Sequence, residues 1–553
     1  MKARLWAAGV LAAALSAAYA PTLRGGFVFD DHIYVEANPF VAEAANLRYL
    51  LDPRFYLHDQ HVLAGSRPVF LASLLADRAL WGGRPGGYRL TNLVLHGAVA
   101  ACVGLFALEL GLAEGAALLA ALLFALQPRL SEAVCSPSFR PDVLAALFAF
   151  LALFVLRRAA GRDRRGFLLG AAGAAGLFLL SLMSKESAAL VVLGAAAAGP
   201  AAPRWTLRRA AAALALLAAV GALYAGFRTP RFRYELVVAP PLSVEAVPAE
   251  ARLLPPEAPR WQYPPSPPPW GRLYVERDLR AWTMLVETAD SVRRLWFPGR
   301  PTVDRAPLLR ETWLDPPVLP AALFLLTLPA AALFLRRRSP AASAGLVWTV
   351  AALLPVCGLA PLYNPVADRY LYLPMAGAAW ALAAALSALA RRAGPREGAV
   401  LGVLGAFVLL PWTAQTRRRA AEWGSDKALF FAEPGDPQGP RVAYNRGVVM
   451  LKEGRPLPAE AHLREAVRVH PGFAEAWMKL GALYDSLGAA DNARQAFAAG
   501  AAAPCPSPLP LFAFGRFLER RGEAEAAAAL FRAALTRDPG FSPAAEALQT
   551  LKR

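Results

Sequence analysis

Long apolar blocks alternate with short clusters of arginine, and this alternation restricts the possible folds more than any other feature of the chain. A helix needs roughly 20 predominantly apolar residues to cross the hydrocarbon of a bilayer. Such blocks occupy residues 3–20, 90–111, 114–127, 141–156, 167–183, 187–202, 209–227, 317–335, 341–360, 371–390 and 399–415, about eleven spans in all. The blocks 114–127 and 187–202 are short and close to their neighbours, so the count carries one or two either way. With 56% hydrophobic and 18% charged residues over 553 positions, the chain is neither a cytosolic globular enzyme nor a disordered or fibrous one. Ala18-Tyr19-Ala20 resembles a signal-peptide cleavage site, but the many spans that follow make 3–20 an uncleaved first span. The fold class is therefore all-α, and the chain is polytopic.

The net charge of +18, from 59 Lys+Arg against 41 Asp+Glu, acquires its meaning from position. Arg157, Arg158, Arg162, Arg164 and Arg165 form one cluster, Arg204, Arg208 and Arg209 a second, Arg336 to Arg338 a third, and Arg391, Arg392 and Arg396 a fourth. If residue 1 is cytoplasmic, these clusters follow spans four, six, eight and ten, and all lie inside, as positively charged short loops do. The same count places residues 21–89, 128–140, 228–316 and 361–370, and everything after 415, on the non-cytoplasmic side. Arg417 to Arg419 depart from the rule. No basic face is interleaved with stacking aromatics, so nucleic acid is not a partner. Cys102, Cys135, Cys357 and Cys505 have no metal or CxxC spacing.

Two external segments have their own character. Residues 228–316 contain Pro264-Pro265-Ser266-Pro267-Pro268-Pro269 and read as an extended loop, within which 281–297 is amphipathic and expected to lie in the membrane interface. From about residue 440, after a linker over 416–439, a 34-residue period appears. Gly447, Gly481 and Gly515 share one register, as do Ala459, Ala493 and Ala527, then Ala466 and Ala534, then Pro471 and Pro539. That is the tetratricopeptide spacing, with a small residue where paired helices touch. The middle repeat is the least regular, with Gly500 and Cys505 at the alanine and proline positions. Residues 440–553 thus form three repeats, suited either to binding a peptide or protein or to packing on the membrane domain of residues 1–415.

Charge at a membrane boundary is costly and so marks function. On the external side lie Asp30-Asp31-His32, Ser131-Glu132, Arg140 with Asp142, Ser184-Lys185-Glu186 and Asp368-Arg369-Tyr370. Acids and cations from separate loops on one face suit a site for an anionic lipid substrate. A carboxylate takes the proton of a hydroxyl acceptor, and Arg or Lys holds a departing phosphate.

These residues also carry a resemblance. Phe27-Val28-Phe29-Asp30-Asp31 with Asn38-Pro39, Ser66-Arg67-Pro68, Tyr88 to His96, Leu123 to Pro128 with Glu132-Ala133-Val134, Arg140 with Asp142, Ser184-Lys185-Glu186 and Arg369-Tyr370-Leu371-Tyr372-Leu373-Pro374 occur in the order of the transmembrane and tetratricopeptide-repeat O-mannosyltransferase-like proteins. These resemble the GT-C glycosyltransferases. The resemblance implies transfer of a sugar, mannose or another hexose, from a polyprenyl-phosphate donor to a hydroxyl, commonly protein Ser or Thr, on the non-cytoplasmic face. It implies an essential acid in the first external loop, Asp30 as general base before Asp31, with Glu132 as a third catalytic acid. Substrate contacts are expected from Arg67, Arg140, Asp142, Lys185, Glu186, Arg369 and Tyr370. The protein would be an integral multi-pass membrane enzyme, in the inner or plasma membrane if bacterial, with a lipid-linked donor and a protein acceptor recruited by the repeats. Gln127 and Phe139 depart from the family's usual His and Gly.

Each assignment has a plainer competitor. Asp30-Asp31 suits a turn capping a helix from His32, Glu132 a helix dipole, Lys185-Glu186 an ion pair between spans, and Arg369 a pair with Asp368. His96 reads as a packed, hydrogen-bonded histidine. Asp30, Asp31 and His32 are adjacent and point different ways, so no metal site is expected there. The rival functions are transfer of a whole lipid-linked oligosaccharide, or polymer ligation, and a non-catalytic membrane scaffold for envelope assembly.

Overall fold

The computed structural model describes residues 2–51, 67–198, 206–232, 270–362, 364–434 and 439–551. Ser66 and the proline run Pro264–Pro269 lie outside them. Every regular element among the described residues is helical. The membrane part consists of α1 (Lys2–Tyr19), α2 (Pro68–Trp81), α3 (Pro85–Glu109), α4 (Glu114–Ala125), α5 (Ser131–Cys135), α6 (Arg140–Ala160), α7 (Arg164–Ser184), α8 (Ala189–Ala198), α9 (Leu207–Phe232), α10 (Arg277–Trp296), α11 (Val318–Leu335), α12 (Pro340–Leu353), α13 (Tyr372–Ala390) and α14 (Glu397–Glu422). Each of the expected spans falls on one of the apolar helices α1, α3, α4, α6–α9 and α11–α14.

They differ in reach. Among the described residues, 7 helical stretches are long and apolar enough to cross a membrane, or up to 8 if Glu114–Ala125 and Pro128–Cys135, bent by 48°, count as one. One of the seven, Asp368–Glu422, contains both α13 and α14, folded back at Gly394 with φ of 57°. The apolar helices Glu186–Ala195 and Pro340–Val356 are shorter. The sequence supplies the stops. Pro128 disfavours helical backbone at Gln127 and ends α4, and Ser184-Lys185-Glu186 separates α7 from α8. The chain is a multi-pass membrane protein.

Small residues set the helix crossings. A Cβ on Gly345 of α12 would lie 2.4 Å from the carbonyl oxygen of Gly377 on α13, so the two backbones touch there. Beside this crossing, Trp348 stacks on Phe150 at 5.2 Å and meets Trp380 edge-on at 5.1 Å. Helix α10 is the amphipathic segment expected to lie in the interface. Its apolar face is instead covered by protein, with Val292 and Leu295 fully buried in the main core and Trp296 Nε1 donating to the Ala378 carbonyl at 3.3 Å.

Helix α14 leads through α15 (Asp426–Ala432) to α16 (Pro440–Lys452), α17 (Pro456–Val469), α18 (Ala474–Ser486), α19 (Ala490–Ala502), α20 (Leu509–Arg520), α21 (Ala524–Arg537) and α22 (Ser542–Leu551). Three helix pairs and a closing helix form the tetratricopeptide solenoid. The 34-residue glycines have a steric cause: a Cβ on Gly447, Gly481 or Gly515 would lie 2.7, 2.8 or 2.5 Å from Leu463, Phe497 or Phe531 on the paired helix. Gly454, Gly488 and Gly522 keep the same period and turn each pair with positive φ, a conformation that glycine adopts without steric penalty. Arg441 at the start of α16 binds Asp304, with Nε 2.9 Å from Oδ2, and Asn364 Oδ1 at 2.8 Å, so the solenoid packs on loops of the membrane part.

Candidate active site

The first loop is built around a buried carboxylate. Asp31 is fully buried; its Oδ1 accepts from Ser136 Oγ at 2.7 Å, Ser138 N at 3.0 Å and Ser138 Oγ at 2.7 Å, and its Oδ2 faces Val28 N at 3.4 Å. Burial pushes the Asp31 carboxyl above the ordinary range, while Ser138, Arg89 and Ser136 pull it back. Arg89 ties the same loop from α3, donating to the Thr22 carbonyl at 2.7 Å and to that of Gly26. Asp30 is only half-buried; its carbonyl accepts from Ile33 N at 3.0 Å and Tyr34 N at 2.9 Å and so starts the wide helical turn His32–Glu36. The turn is entered through Phe29, whose φ of 57° is left-handed, a strained conformation for a phenylalanine.

A second group of charges gathers where α5, α6, α7 and the 368–373 segment meet. Glu132 is buried and uses both carboxylate oxygens on Arg369, one on its backbone N–H at 2.8 Å and one on its guanidinium. Lys185 Nζ lies 2.5 Å from Asp142 Oδ1 and 5.1 Å from the centre of the Tyr370 ring. Tyr370 donates its hydroxyl to the Asn364 carbonyl at 2.9 Å. Arg67 lies within electrostatic reach of both Lys185 and Tyr370, and its buried Nε has no hydrogen-bond partner among the described residues. Asp142, Lys185 and Tyr370 line a narrow cleft of about 10 Å³ together with Ala146, Ser187, Ala352, Val356 and Leu373.

Phe139 joins the two groups. Its ring lies 6.3 Å from that of Phe29 and 4.5 Å from the guanidinium of Arg369. The sequence-identified residues of the first loop and of the later loops are therefore neighbours at one end of the helical bundle. In this cluster Lys185 pairs with Asp142 and Arg369 with Glu132, and Arg67 adds a third cation within electrostatic reach of Lys185, an excess of positive charge that attracts an anionic group.

Two of the expected contacts are placed elsewhere. Arg140 is fully buried, and its guanidinium is consumed by the protein: Nε donates to Asn92 Oδ1 at 2.5 Å, one terminal nitrogen to Ser73, the other to Asp77 and the Tyr88 carbonyl. An arginine with every nitrogen so bonded holds α2, α3 and α6 together and has no donor left for a phosphate. Glu186 turns away from the cleft and accepts from Tyr224 of α9 at 2.9 Å. His96 is packed as expected, with Nδ1 2.8 Å from the Tyr372 hydroxyl and Nε2 3.0 Å from the Ala125 carbonyl. Asp77, Ser136, Ser138 and Asp426 were not identified from sequence. Only Asp77, a lone acid on the apolar stretch Leu74 to Leu80, left a sign there.

No family model matches the chain. Protein O-mannosyl-transferase TMTC1 of Homo sapiens is 25% identical over 517 residues, 86% of this chain and 56% of its own length. The namesake of Mus musculus is 30% identical over 191 residues, 34% of this chain and 20% of its own. The chain thus spans between a fifth and somewhat over half of the length of these relatives. A solved chain from the APC/C hetero-tetramer Cut9-Hcn1 aligns over 93% of this chain and 99% of its own at 12% identity and a TM-score of 0.25, too low to bear on the fold. The family that this chain resembles, along 86% of its length, is that of the transmembrane and tetratricopeptide-repeat O-mannosyltransferases.

Proposed function

We propose that the protein is a GT-C type glycosyltransferase that moves a hexose, mannose by analogy with its relatives, from a polyprenyl-phosphate donor to a Ser or Thr hydroxyl of a protein on the non-cytoplasmic face. The observation that carries this reading is the juxtaposition, across Phe139, of the first-loop turn that holds Asp30 and Asp31 and the charged cluster of Arg369, Glu132, Lys185 and Asp142. In the proposed step Asp30 accepts the proton of the acceptor hydroxyl and the acceptor oxygen bonds to the anomeric carbon. The bond from that carbon to the phosphate oxygen breaks, and the lipid phosphate leaves with the electron pair. Arg67, Lys185 and Arg369 stabilise the phosphate as it departs. On this reading Asp31 fixes the turn through Ser136 and Ser138, and Glu132 fixes Arg369. Arg140 supports the same end of the bundle through Asp77. The solenoid, bound beside the site through Arg441, would present the acceptor protein.

The test is transfer of labelled mannose from a polyprenyl-phosphate donor to a Ser/Thr peptide by the purified full-length protein in lipid vesicles. Transfer that depends on the donor lipid supports the reading. A protein that binds peptide but transfers nothing from any lipid-phosphate hexose would be a scaffold instead.

A further inference from the structure

The acid turn is held from a direction its own sequence does not reveal. Asp426, in the first turn of α15, accepts from Phe29 N at 2.9 Å with Oδ1 and lies 2.9 Å from His32 Nε2 with Oδ2. The two groups it holds flank Asp30 and Asp31 in the chain, so one carboxylate brackets both aspartates. The other imidazole nitrogen of His32 is 2.6 Å from Glu36. Around this bracket the two segments run in close contact. Gly26 N donates to the Gly424 carbonyl at 3.0 Å, and a Cβ on Gly25 would lie 2.6 Å from the Gly424 Cα, so the two backbones touch there. The Phe430 ring meets that of Phe29 at 5.7 Å.

A left-handed phenylalanine persists only when its surroundings over-determine it. Part of those surroundings comes from residues 424–430, which belong to the connection between the membrane part and the solenoid. That connection is itself fixed by the first repeat. Lys427 binds Glu453 at 2.8 Å, Lys452 approaches Asp426 at 3.4 Å, and Arg446 donates to the Phe430 carbonyl at 2.9 Å.

We propose that Asp426 is a positioning residue for the transfer reaction, holding the Phe29–His32 backbone so that the Asp30 carboxylate is presented to the acceptor hydroxyl. The proposal rests on the reading of Asp30 as the base. It makes the solenoid a structural part of the active site, through α16 and α15.

The experiment compares full-length wild type, Asp426→Ala and Asp426→Asn in two readouts: transfer kinetics from polyprenyl-phosphate mannose to peptide, and hydrogen exchange of the peptide covering residues 27–34. Misplacement by about 1 Å slows a positioned reaction by up to roughly 100-fold. Asp426→Ala is expected to lower kcat by about 10- to 100-fold, with the donor KM unchanged because Arg67 and Lys185 are untouched, and to expose the 27–34 amides to exchange. Asp426→Asn, which keeps an acceptor for Phe29 N–H, is expected to recover most of kcat and of the protection. Unchanged protection in Asp426→Ala, a kcat within twofold of wild type, or an Asn variant as impaired as Ala would each overturn the proposal. An Asp30→Asn protein that transfers at the wild-type rate would overturn the base assignment instead, and the exchange measurement would still decide the bracket.

Discussion

Asp142 on α6 and Lys185 at the end of α7 meet at 2.5 Å on the wall of the cleft, and Tyr370 covers the ammonium from the other side. A lysine so placed is neutralised by one carboxylate and still has two hydrogens to direct at a ligand. That arrangement suits a residue that is compensated while the site is empty and shared with a phosphate when it is filled.

Lys185→Met should therefore weaken the donor more than the acceptor. Loss of one charge-assisted hydrogen bond is worth about 1.5–3 kcal/mol, so the donor KM should rise by roughly 10- to 100-fold while the peptide KM stays put. Initial rates against donor concentration read this out, and an unchanged donor KM would remove Lys185 from the phosphate site.

Arg140→Met should act on stability, not on donor binding. Removing one partner of a buried pair leaves the other as an uncompensated charge, at a cost of about 3–5 kcal/mol. Here the orphan is Asp77, which is 1% exposed. Asp77→Leu combined with Arg140→Met should restore part of the loss, because both charges then go together. Thermal unfolding in detergent distinguishes the outcomes: a double variant no better than the single would mean that Asp77 is not the partner that matters.

The contrast between Lys185 and Arg140 indicates what the sequence could and could not reveal. Both are lone cations at an apolar boundary beside an acid, and locally they read alike. Only the fold shows that Arg140 meets Asp77 from 63 residues earlier, whereas Lys185 faces a cleft. The span positions were legible because burial in lipid imposes apolar composition on whole segments, and the repeats because helix contacts impose glycine every 34 residues. Arg417 to Arg419 appeared to break the charge rule, yet Arg419 is buried against Glu422 and Glu433 at 2.8 Å, and the exposed Arg417 donates to the Ala17 carbonyl at 2.6 Å, so both have partners within the protein. The Asp426 bracket was invisible because it joins residues 397 and 394 positions apart.

Gly481→Ala should loosen the solenoid. The new methyl would meet the Phe497 ring at 2.8 Å, closer than real contacts allow. Overpacking of this kind costs about 1–3 kcal/mol, and hydrogen exchange in α18 and α19 should rise ahead of exchange in α6 and α13. Uniform exchange across both parts would contradict a separable repeat domain.

The His32–Asp426 contact makes the stability of the bracket depend on pH. The hydrogen bond that His32 donates to Asp426 raises the imidazole above its ordinary 6.5, against burial and Lys452 and with help from Glu36. Burial alone would raise Asp426, but His32 and the Phe29 N–H outweigh it and hold the carboxyl below its ordinary 3.8. The pair's contribution is then complete between about pH 3.8 and 6.5. It is lost as pH rises through the raised histidine value or falls through the lowered aspartate value. The difference in unfolding temperature between wild type and Asp426→Ala should shrink as pH rises above 6.5. A constant difference up to pH 9 would show that His32 is not charged in the pair.

In the proposed mechanism Asp30, and not Asp31, takes the acceptor proton. Rates of mannose transfer from a polyprenyl-phosphate donor to peptide by Asp30→Asn, Asp31→Asn and wild type, each confirmed as folded, test it most directly. General base catalysis contributes typically 10²–10⁴-fold, so Asp30→Asn should lose about that factor in kcat with the donor KM unchanged. Asp31→Asn should show a lowered unfolding temperature and a smaller loss of rate. Wild-type transfer by a folded Asp30→Asn protein would contradict the account.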